Sequence, residues 1–528
     1  GSVGELVAAV LMLLSYPAMV VAALLHHLGL FVGLCAVSYL ADLYLHHRRS
    51  YLISRLSKVR AGISLRFLLR QLVLTLLLVR MGLGEEPVTF AALVTFIVFY
   101  CMQAPHGTMV TLLSTRRRLP VATRNIDLSA LRIADAPPGW LTRRAVEKMQ
   151  HLDLPAVTGI LLAAALGDSL YGYVGIAVTG ALAALYLVAL AARLRPSQLP
   201  PRPDAVLRWF DTWLRDYRPT TVLYFSGSAE STYQVNMWLS TMEQLPGRPL
   251  VVLRERHTLT DLAPTTVPVA CVSSAVHLMN MDFSMARAAL YPANVGKNIH
   301  MLRIPTMKHV FIGHGDSDKI ASVNPYSKVY DEVWTAGKAG RDRYALAAVG
   351  VRDEDIVEVG RPQLAPIHHG GRDRRGRIPT VLYAPTWEGW TDEPGNTSLI
   401  LAGENIVRAL VQADPAVRVI YKPHPFTGMR SGKAKAAHQR IVAMLETATR
   451  RRAADPRCAA EPGTAAAGAE LARLDARLEQ AISPLEEIDD AAQAARDGMA
   501  DPARHAELVQ LRKDWNDAFW RSFASWEH

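Results

Sequence analysis

The sequence predicts an all-helical membrane domain followed by a parallel α/β region. Three observations carry this. Long apolar runs fill the first 195 residues, the surplus of basic residues lies wholly among them, and β-branched runs alternate with helical stretches after a proline-rich junction. Residues 1–203 hold 19 Lys and Arg against 9 Asp and Glu, whereas the remainder holds 39 of each. A basic surplus confined to the most apolar part argues against nucleic-acid binding and for short cytoplasmic loops beside membrane helices. With half of its 528 residues hydrophobic and a fifth charged, the chain is too apolar for disorder.

The apolar runs are Leu6–Leu25, Leu28–Leu45, Phe67–Leu83, Val88–Met102, Leu154–Leu166 and Leu170–Leu190. A spanning helix needs about 20 residues, and the first, second and last satisfy that. Tight connections at His26-His27, Gly84–Pro87 and Gly167–Ser169 pair the runs into three hairpins, giving up to six spans in a membrane domain of residues 3–195. The long loops between hairpins are basic. One carries Arg48, Arg49, Arg55, Lys58, Arg60 and Arg66, and another Arg116–Arg118, Arg124, Arg132, Arg143, Arg144 and Lys148. The tight connections hold no Lys or Arg, so both termini and the region after the last run are expected in the cytoplasm. The basic loops either set topology alone or also hold anionic lipid phosphates near Tyr51–Arg66 and Arg116–Arg144. Arg70 and Arg80 are expected to snorkel from their run, and Asp42 to lie at the interface.

Pro196–Pro203 reads as a stiff linker. Beyond it, strand candidates fall at Thr221–Phe225, Leu250–Leu253, Val267–Val272, Lys308–Ile312, Glu332–Trp334 and Ile356–Val359, with helices near Ser231–Gln244 and Lys338–Ala348. Alternation of this kind means βαβ units and a parallel sheet, here over residues 204–365. After a second linker at Pro366–Pro379 the alternation restarts in residues 380–430, with strands at Thr380–Tyr383 and Val417–Tyr421 around a helix near Glu404–Ala413. Residues 431–528 turn Ala-, Glu- and Arg-rich and read as a helical insertion or arm. Two strands are few for a domain buried on both faces, so the second domain is expected to be incomplete and the chain a piece of a longer protein. Cys35, Cys101, Cys271 and Cys458 are too scattered for a disulfide framework or a zinc site.

Four segments place polar or cationic groups directly after a strand, where ligands of open α/β sheets bind. They are Phe311–Lys319, Val359–Gln363, Leu382–Glu388 and Ile420–Pro425. In the first, His314 lies between two glycines and has the pKa range of a base near neutrality. Asp316 and Asp318 also read as caps for a helix after Ser317. Arg361, Lys422 and His424 suit a diphosphate.

Together, His314-Gly-Asp-Ser-Asp-Lys319, Gly360-Arg-Pro-Gln363, Tyr383-Ala-Pro-Thr-Trp387 and Lys422-Pro-His-Pro425 resemble the CDP-glycerol glycerophosphotransferase family, the teichoic-acid polymerases and primases. The resemblance covers roughly Thr221–Thr427. It implies a GT-B fold, two Rossmann-like domains across a cleft, with no metal and no cofactor beyond the CDP-activated donor. It implies that His314 is the general base on the acceptor hydroxyl and that His424 contacts the donor phosphates. Lys319, Asp316, Arg361, Thr386 and Lys422 follow as substrate- and phosphate-binding residues. The chain departs from the family at Asp316, Asp318 and Gln363, and the family's Ser-containing donor motif is not found after Pro425.

The expected protein is therefore a multi-pass membrane transferase with a cytoplasmic catalytic domain. It moves a polyol phosphate, glycerol phosphate by default, from a CDP-polyol to a lipid-linked acceptor in surface-polymer synthesis. The competing readings are a GT-B glycosyltransferase using a nucleotide sugar and a membrane scaffold with a degenerate transferase domain.

Overall fold

The computed structural model describes residues 3–47, 62–142, 149–263, 265–315, 320–364, 379–389, 397–452 and 464–481, with scattered positions from 507 to 518. The chain forms two units. A helical unit takes Gly1–Arg118 and Ile133–Pro200, and an α/β unit takes Leu119–Arg132 and the chain from Pro201.

The helical unit contains Val3–Leu24, Leu28–His47, Ile63–Arg80, Pro87–Cys101, Gln103–Arg117, Leu154–Leu166 and Ser169–Arg193. Among the described residues, four helices are long and apolar enough to cross a membrane: Gly4–Leu24, Leu28–His46, Pro87–Arg117 and Ser169–Arg193. Leu40, Leu72, Phe90, Ile97, Leu185 and Val188 are 64–69% exposed, an apolar surface that suits lipid rather than water. Three expectations change here. The run ending at Met102 continues through Gln103–Arg117, making one 31-residue stretch. Ile63–Arg80 carries Arg66 and Arg70 buried inside the unit, so Arg70 does not snorkel. Arg117, expected in a lipid-facing basic loop, is buried, donating from Nη1 to the Gln198 carbonyl at 2.9 Å and from Nη2 to the Ala134 carbonyl at 2.8 Å.

The last two helices pack backbone to backbone. A Cβ on Gly159 would meet the Tyr171 carbonyl at 2.4 Å, and one on Gly175 the Pro155 carbonyl at 2.4 Å. Small residues at such a seam let membrane helices approach closely. The orphan Ala156 N–H at the start of Leu154–Leu166 donates across the same seam to Thr179 Oγ1 at 3.0 Å.

The α/β unit has an eight-stranded sheet in the order β1-β4-β3-β2-β5-β6-β7-β8. The strands are β1 Ala122–Arg124, β2 Thr221–Phe225, β3 Pro249–Leu253, β4 Val269–Cys271, β5 Ala288–Tyr291, β6 Lys308–Phe311, β7 Glu332–Thr335 and β8 Ile356–Glu358. All pairings are parallel except β1 with β4. Alternation sends Val222 and Tyr224 to one face, against Phe210 and Leu214 of Pro203–Tyr217. Leu223 and Phe225 face the other way, against Val235, Leu239 and Met242 of Tyr233–Gln244. Strand order reverses between β2 and β5, which opens a crevice at their carboxyl ends.

Two strands here were not expected. β5 is one. The other, β1, comes from the segment assigned to a basic lipid-facing loop, and Arg124 at its end donates to the Leu259 and Leu262 carbonyls at 2.7 and 3.0 Å.

A second sheet pairs β9 Thr380–Tyr383 with β10 Arg418–Tyr421, parallel and in register. Its core joins Leu399, Val407, Val419 and Tyr421 to Ala434, Ala437, Ile441 and Leu445. Those last four lie on Gly432–Arg452, so this helix belongs to the second α/β core instead of forming an arm beyond residue 430. Thr464–Ala481 is helical, as the composition implies. Of the linker Pro366–Pro379, residues 366–378 lie outside the described residues, as does most of the chain from 482 onward.

Candidate functional site

His314 follows β6 on a turn that calls for glycine at position 313. Gly313 has φ +61°, in the left-handed region, and a side chain there would be strained. Trp238 Nε1–H donates to the Gly313 carbonyl at 2.8 Å and pins the turn to Tyr233–Gln244. His314 Nδ1 lies 2.9 Å from the Pro292 carbonyl, just beyond β5. A carbonyl only accepts, so Nδ1 carries the proton and Nε2 carries the lone pair. Burial lowers the pKa of this imidazole, and Arg361 lowers it further against the opposing pull of the Pro292 carbonyl. The ring is therefore a neutral base at neutral pH.

His424 follows β10 and is fixed the other way. Its Nδ1 accepts from the Phe426 N–H at 3.1 Å, which leaves the proton on Nε2. Trp387 stacks on it, with centroids 6.0 Å apart and planes at 23°. Tyr233 makes T-shaped contacts with His314, His424 and Phe426, with centroids 5.9, 5.9 and 6.1 Å away. One base and one hydrogen-bond donor, from loops after two different sheets, thus share a single aromatic contact.

The other expected residues are placed as follows. Arg361 is half-buried after β8 and acts on His314 through its charge. Gln363 donates to the Met237 carbonyl at 3.2 Å, a structural role. Lys422 is exposed at the end of β10, with its N–H bonded to the Tyr383 carbonyl at 3.0 Å. Thr386 is half-buried after β9, and its carbonyl accepts from Thr397 Oγ1 at 2.5 Å. Asp316, Asp318 and Lys319 lie outside the described residues.

Two glutamates that sequence reasoning passed over organise the loops. Glu255 accepts from Ser226 Oγ at 2.9 Å, the Gly227 N–H at 3.0 Å and Lys297 Nζ at 2.7 Å, and so closes the loop after β2. Glu388 is buried and accepts from the N–H groups of Gly428, Arg430 and Ser431 at 3.1, 3.0 and 2.9 Å. Burial pushes its carboxyl up, but the backbone bonds outweigh that and hold it below its ordinary value. Tyr233 was missed as well. Its only sequence signal was its place at the head of a helix that follows a Ser-Gly-Ser loop.

A second polar cluster lies within the helical unit. Asp42, expected at the interface, is fully buried and pairs with Arg66 at 2.9 Å and Arg70 at 3.6 Å. Asp42, His46 and His151 hold their ligand-capable atoms within 4.8 Å of one another. A Asp-x-x-x-His spacing inside an apolar run was the signal available for it.

No known protein family, curated protein or solved structure matches the chain. What the residues establish is a mixed α/β unit with two sheets, a multi-pass helical unit, and in the latter a buried cluster able to hold a ligand.

Proposed function

We propose that the protein is a membrane-embedded transferase moving a polyol phosphate from a CDP-activated donor to a hydroxyl of a lipid-linked acceptor. The observation that carries this reading is the opposed protonation of His314 and His424 around Tyr233. A positioned base on the acceptor hydroxyl together with hydrogen-bond donors on the phosphate oxygens suits phosphoryl transfer. His314 Nε2 takes the proton of the acceptor hydroxyl as its oxygen attacks the donor's β-phosphorus. The bond from that phosphorus to the bridging oxygen breaks, and CMP leaves. His424 Nε2–H, with Lys422 and Arg361, holds phosphate oxygens and offsets charge on the leaving group. Thr386, Asp316 and Lys319 complete the substrate contacts in this reading.

The two sheets then act as the halves of a GT-B arrangement, with the acceptor on the eight-stranded side and the donor on the β9–β10 side. The basic surplus among the first 203 residues supports a cytoplasmic α/β unit in this reading, where a soluble CDP-polyol would meet an acceptor anchored in the bilayer.

The deciding experiment is product release from the full chain in detergent with a lipid-linked acceptor, offered CDP-glycerol, other CDP-polyols, UDP-sugars and GDP-sugars in turn. Release of CMP from one CDP-polyol is the expected result. Release of UDP or GDP instead would make it a glycosyltransferase, and binding of no donor at all would leave a scaffold.

A further inference from the structure

Asp42 and His46 stand four residues apart on Leu28–His47 and so share one face of the helix. His151 joins them from the short turn His151–Asp153 ahead of Leu154–Leu166. The side chains of Asp42, His46 and His151 are 0%, 7% and 9% exposed. Hydrogen bonding sorts their atoms. His46 Nδ1 donates to the Asp42 carbonyl at 2.8 Å, so its Nε2 carries the lone pair. Metal-bound imidazoles are commonly held this way, by a carbonyl behind the other nitrogen. Asp42 Oδ1 accepts from Arg66 Nη2 at 2.9 Å. Asp42 Oδ2 and His151 Nε2 are buried without a hydrogen bond among the described residues, 3.4 Å apart. That exceeds an ordinary N–H···O bond of about 2.9 Å. It matches the roughly 3.4 Å between two ligands that are each about 2.0–2.1 Å from one tetrahedral ion.

We propose that Asp42 Oδ2, His46 Nε2 and His151 Nε2 bind a divalent transition-metal ion of the zinc type. Two nitrogens and one carboxylate leave at least one coordination position for an outside ligand. Charge indicates its chemistry. Within the cluster the carboxylates of Asp42 and Asp153 balance the guanidiniums of Arg66 and Arg70, all four buried. A dication then leaves excess positive charge in apolar surroundings, which is costly unless an anion accompanies it. Arg70 supplies the donors for that anion. Its Nε, Nη1 and Nη2 are buried without hydrogen bonds among the described residues, and Nη1 lies 3.6 Å from Asp42 Oδ2. Its guanidinium is steadied 4.0 Å above the Tyr39 ring. The outside ligand is thus a phosphate oxygen, from inorganic phosphate or from a lipid headgroup. The site stands independently of the transferase reading, because none of its residues takes part in it.

The test is a cobalt titration of the full chain in phospholipid-free detergent, followed by visible absorption and by metal content after desalting. One equivalent of Co²⁺ with an intense band of low-coordinate geometry is expected in the wild type. His46→Gln and His151→Gln should each lose the band. Arg70→Gln should keep it but lose its shift on adding phosphate. A shift with inorganic phosphate identifies free phosphate as the ligand, and a shift only in nanodiscs containing phosphatidic acid identifies a headgroup. Wild-type protein that takes up no cobalt, or a band unchanged in both histidine variants, overturns the metal site without any appeal to a misfolded variant. A cobalt band that neither phosphate source shifts overturns the anionic ligand.

Discussion

His314 and His424 meet the same phenol ring, each centroid 5.9 Å from that of Tyr233 and each plane at 88° to it. The bond to Pro292 reserves Nε2 of the first as an acceptor, and the bond from Phe426 reserves Nε2 of the second as a donor. Two imidazoles of one chemical type are thereby given complementary roles by backbone groups alone.

Replacing His314 with Ala should lower turnover by roughly 10²–10⁴-fold, the usual range for a general base, with little change in folding. The pH profile follows from the lowered pKa. A base works deprotonated, so the rate should stay flat through neutrality and fall only below the ordinary imidazole value of about 6.5. Turnover measured across pH 5–8 checks both points, and an unchanged rate in the variant removes His314 from the chemistry.

His424→Ala should act on the donor. Loss of one hydrogen bond to a charged phosphate is worth about 1.5–3 kcal/mol, so donor affinity should fall roughly 10- to 150-fold. Tyr233→Phe keeps the ring contact and should change little. Equilibrium binding of a CDP-polyol to each variant makes the comparison.

Glu388→Gln should destabilise the second α/β core by about 1–3 kcal/mol, because three backbone N–H groups lose a charged acceptor. The folded carboxyl titrates below its unfolded value, so its contribution is present above the unfolded pKa of 4.5 and is lost as pH falls through the folded one. Chemical denaturation of the two proteins at neutral pH and near pH 3 should show the gap closing in acid. An equal gap at both would refute the assignment.

Gly175→Val should lower the melting temperature of the helical unit in detergent, since its Cβ would stand 2.4 Å from the Pro155 carbonyl and 3.0 Å from Gly159 Cα. Gly180→Ala, on the same helix with nothing within 4 Å of its Cβ, should be neutral or stabilising. Equal losses in both would mean that the seam is not what holds the pair.

For orientation, a single Cys at Glu85 should react with an impermeant reagent from outside the cell, and one at Arg116 only after permeabilisation. Both positions are exposed in the structure, so labelling reports sidedness. Labelling of both from one side would break the three-hairpin topology, and the opposite pattern would reverse it.

Much of the α/β unit is legible in the sequence because its strands are β-branched and its helices have periodic apolar faces. β5 was not, since Ala288-Ala289-Leu290-Tyr291 reads as readily as helix, and only its place between β2 and β6 makes it extended. β1 has three residues in an Arg-rich segment and owes its pairing to a distant edge. The stripe of Ala434, Ala437, Ile441 and Leu445 is too alanine-rich to announce a core helix. The positions after the strands pointed to His314 and His424, but which nitrogen each presents depends on Pro292 and Phe426 backbone groups. Asp42 was misplaced because its partners Arg66, Arg70 and His151 lie far along the chain, where local hydropathy carries no trace of them.

The position of β1 has a consequence for biogenesis. The chain passes between its two units at Arg118–Leu119, again at Arg132–Ile133, and again at Pro200–Pro201. Leu154–Leu166 and Ser169–Arg193 are therefore synthesised after β1 and before its partner β4. The edge of the large sheet has to wait, unpaired, while Leu154–Leu166 and the membrane-spanning candidate Ser169–Arg193 are made. Insertion of the helical unit and closure of the large sheet's edge are thus ordered in time by a three-residue strand. A single nick in the Pro196–Pro203 junction would not free the α/β unit, because β1 stays covalently tied to the helices on both sides.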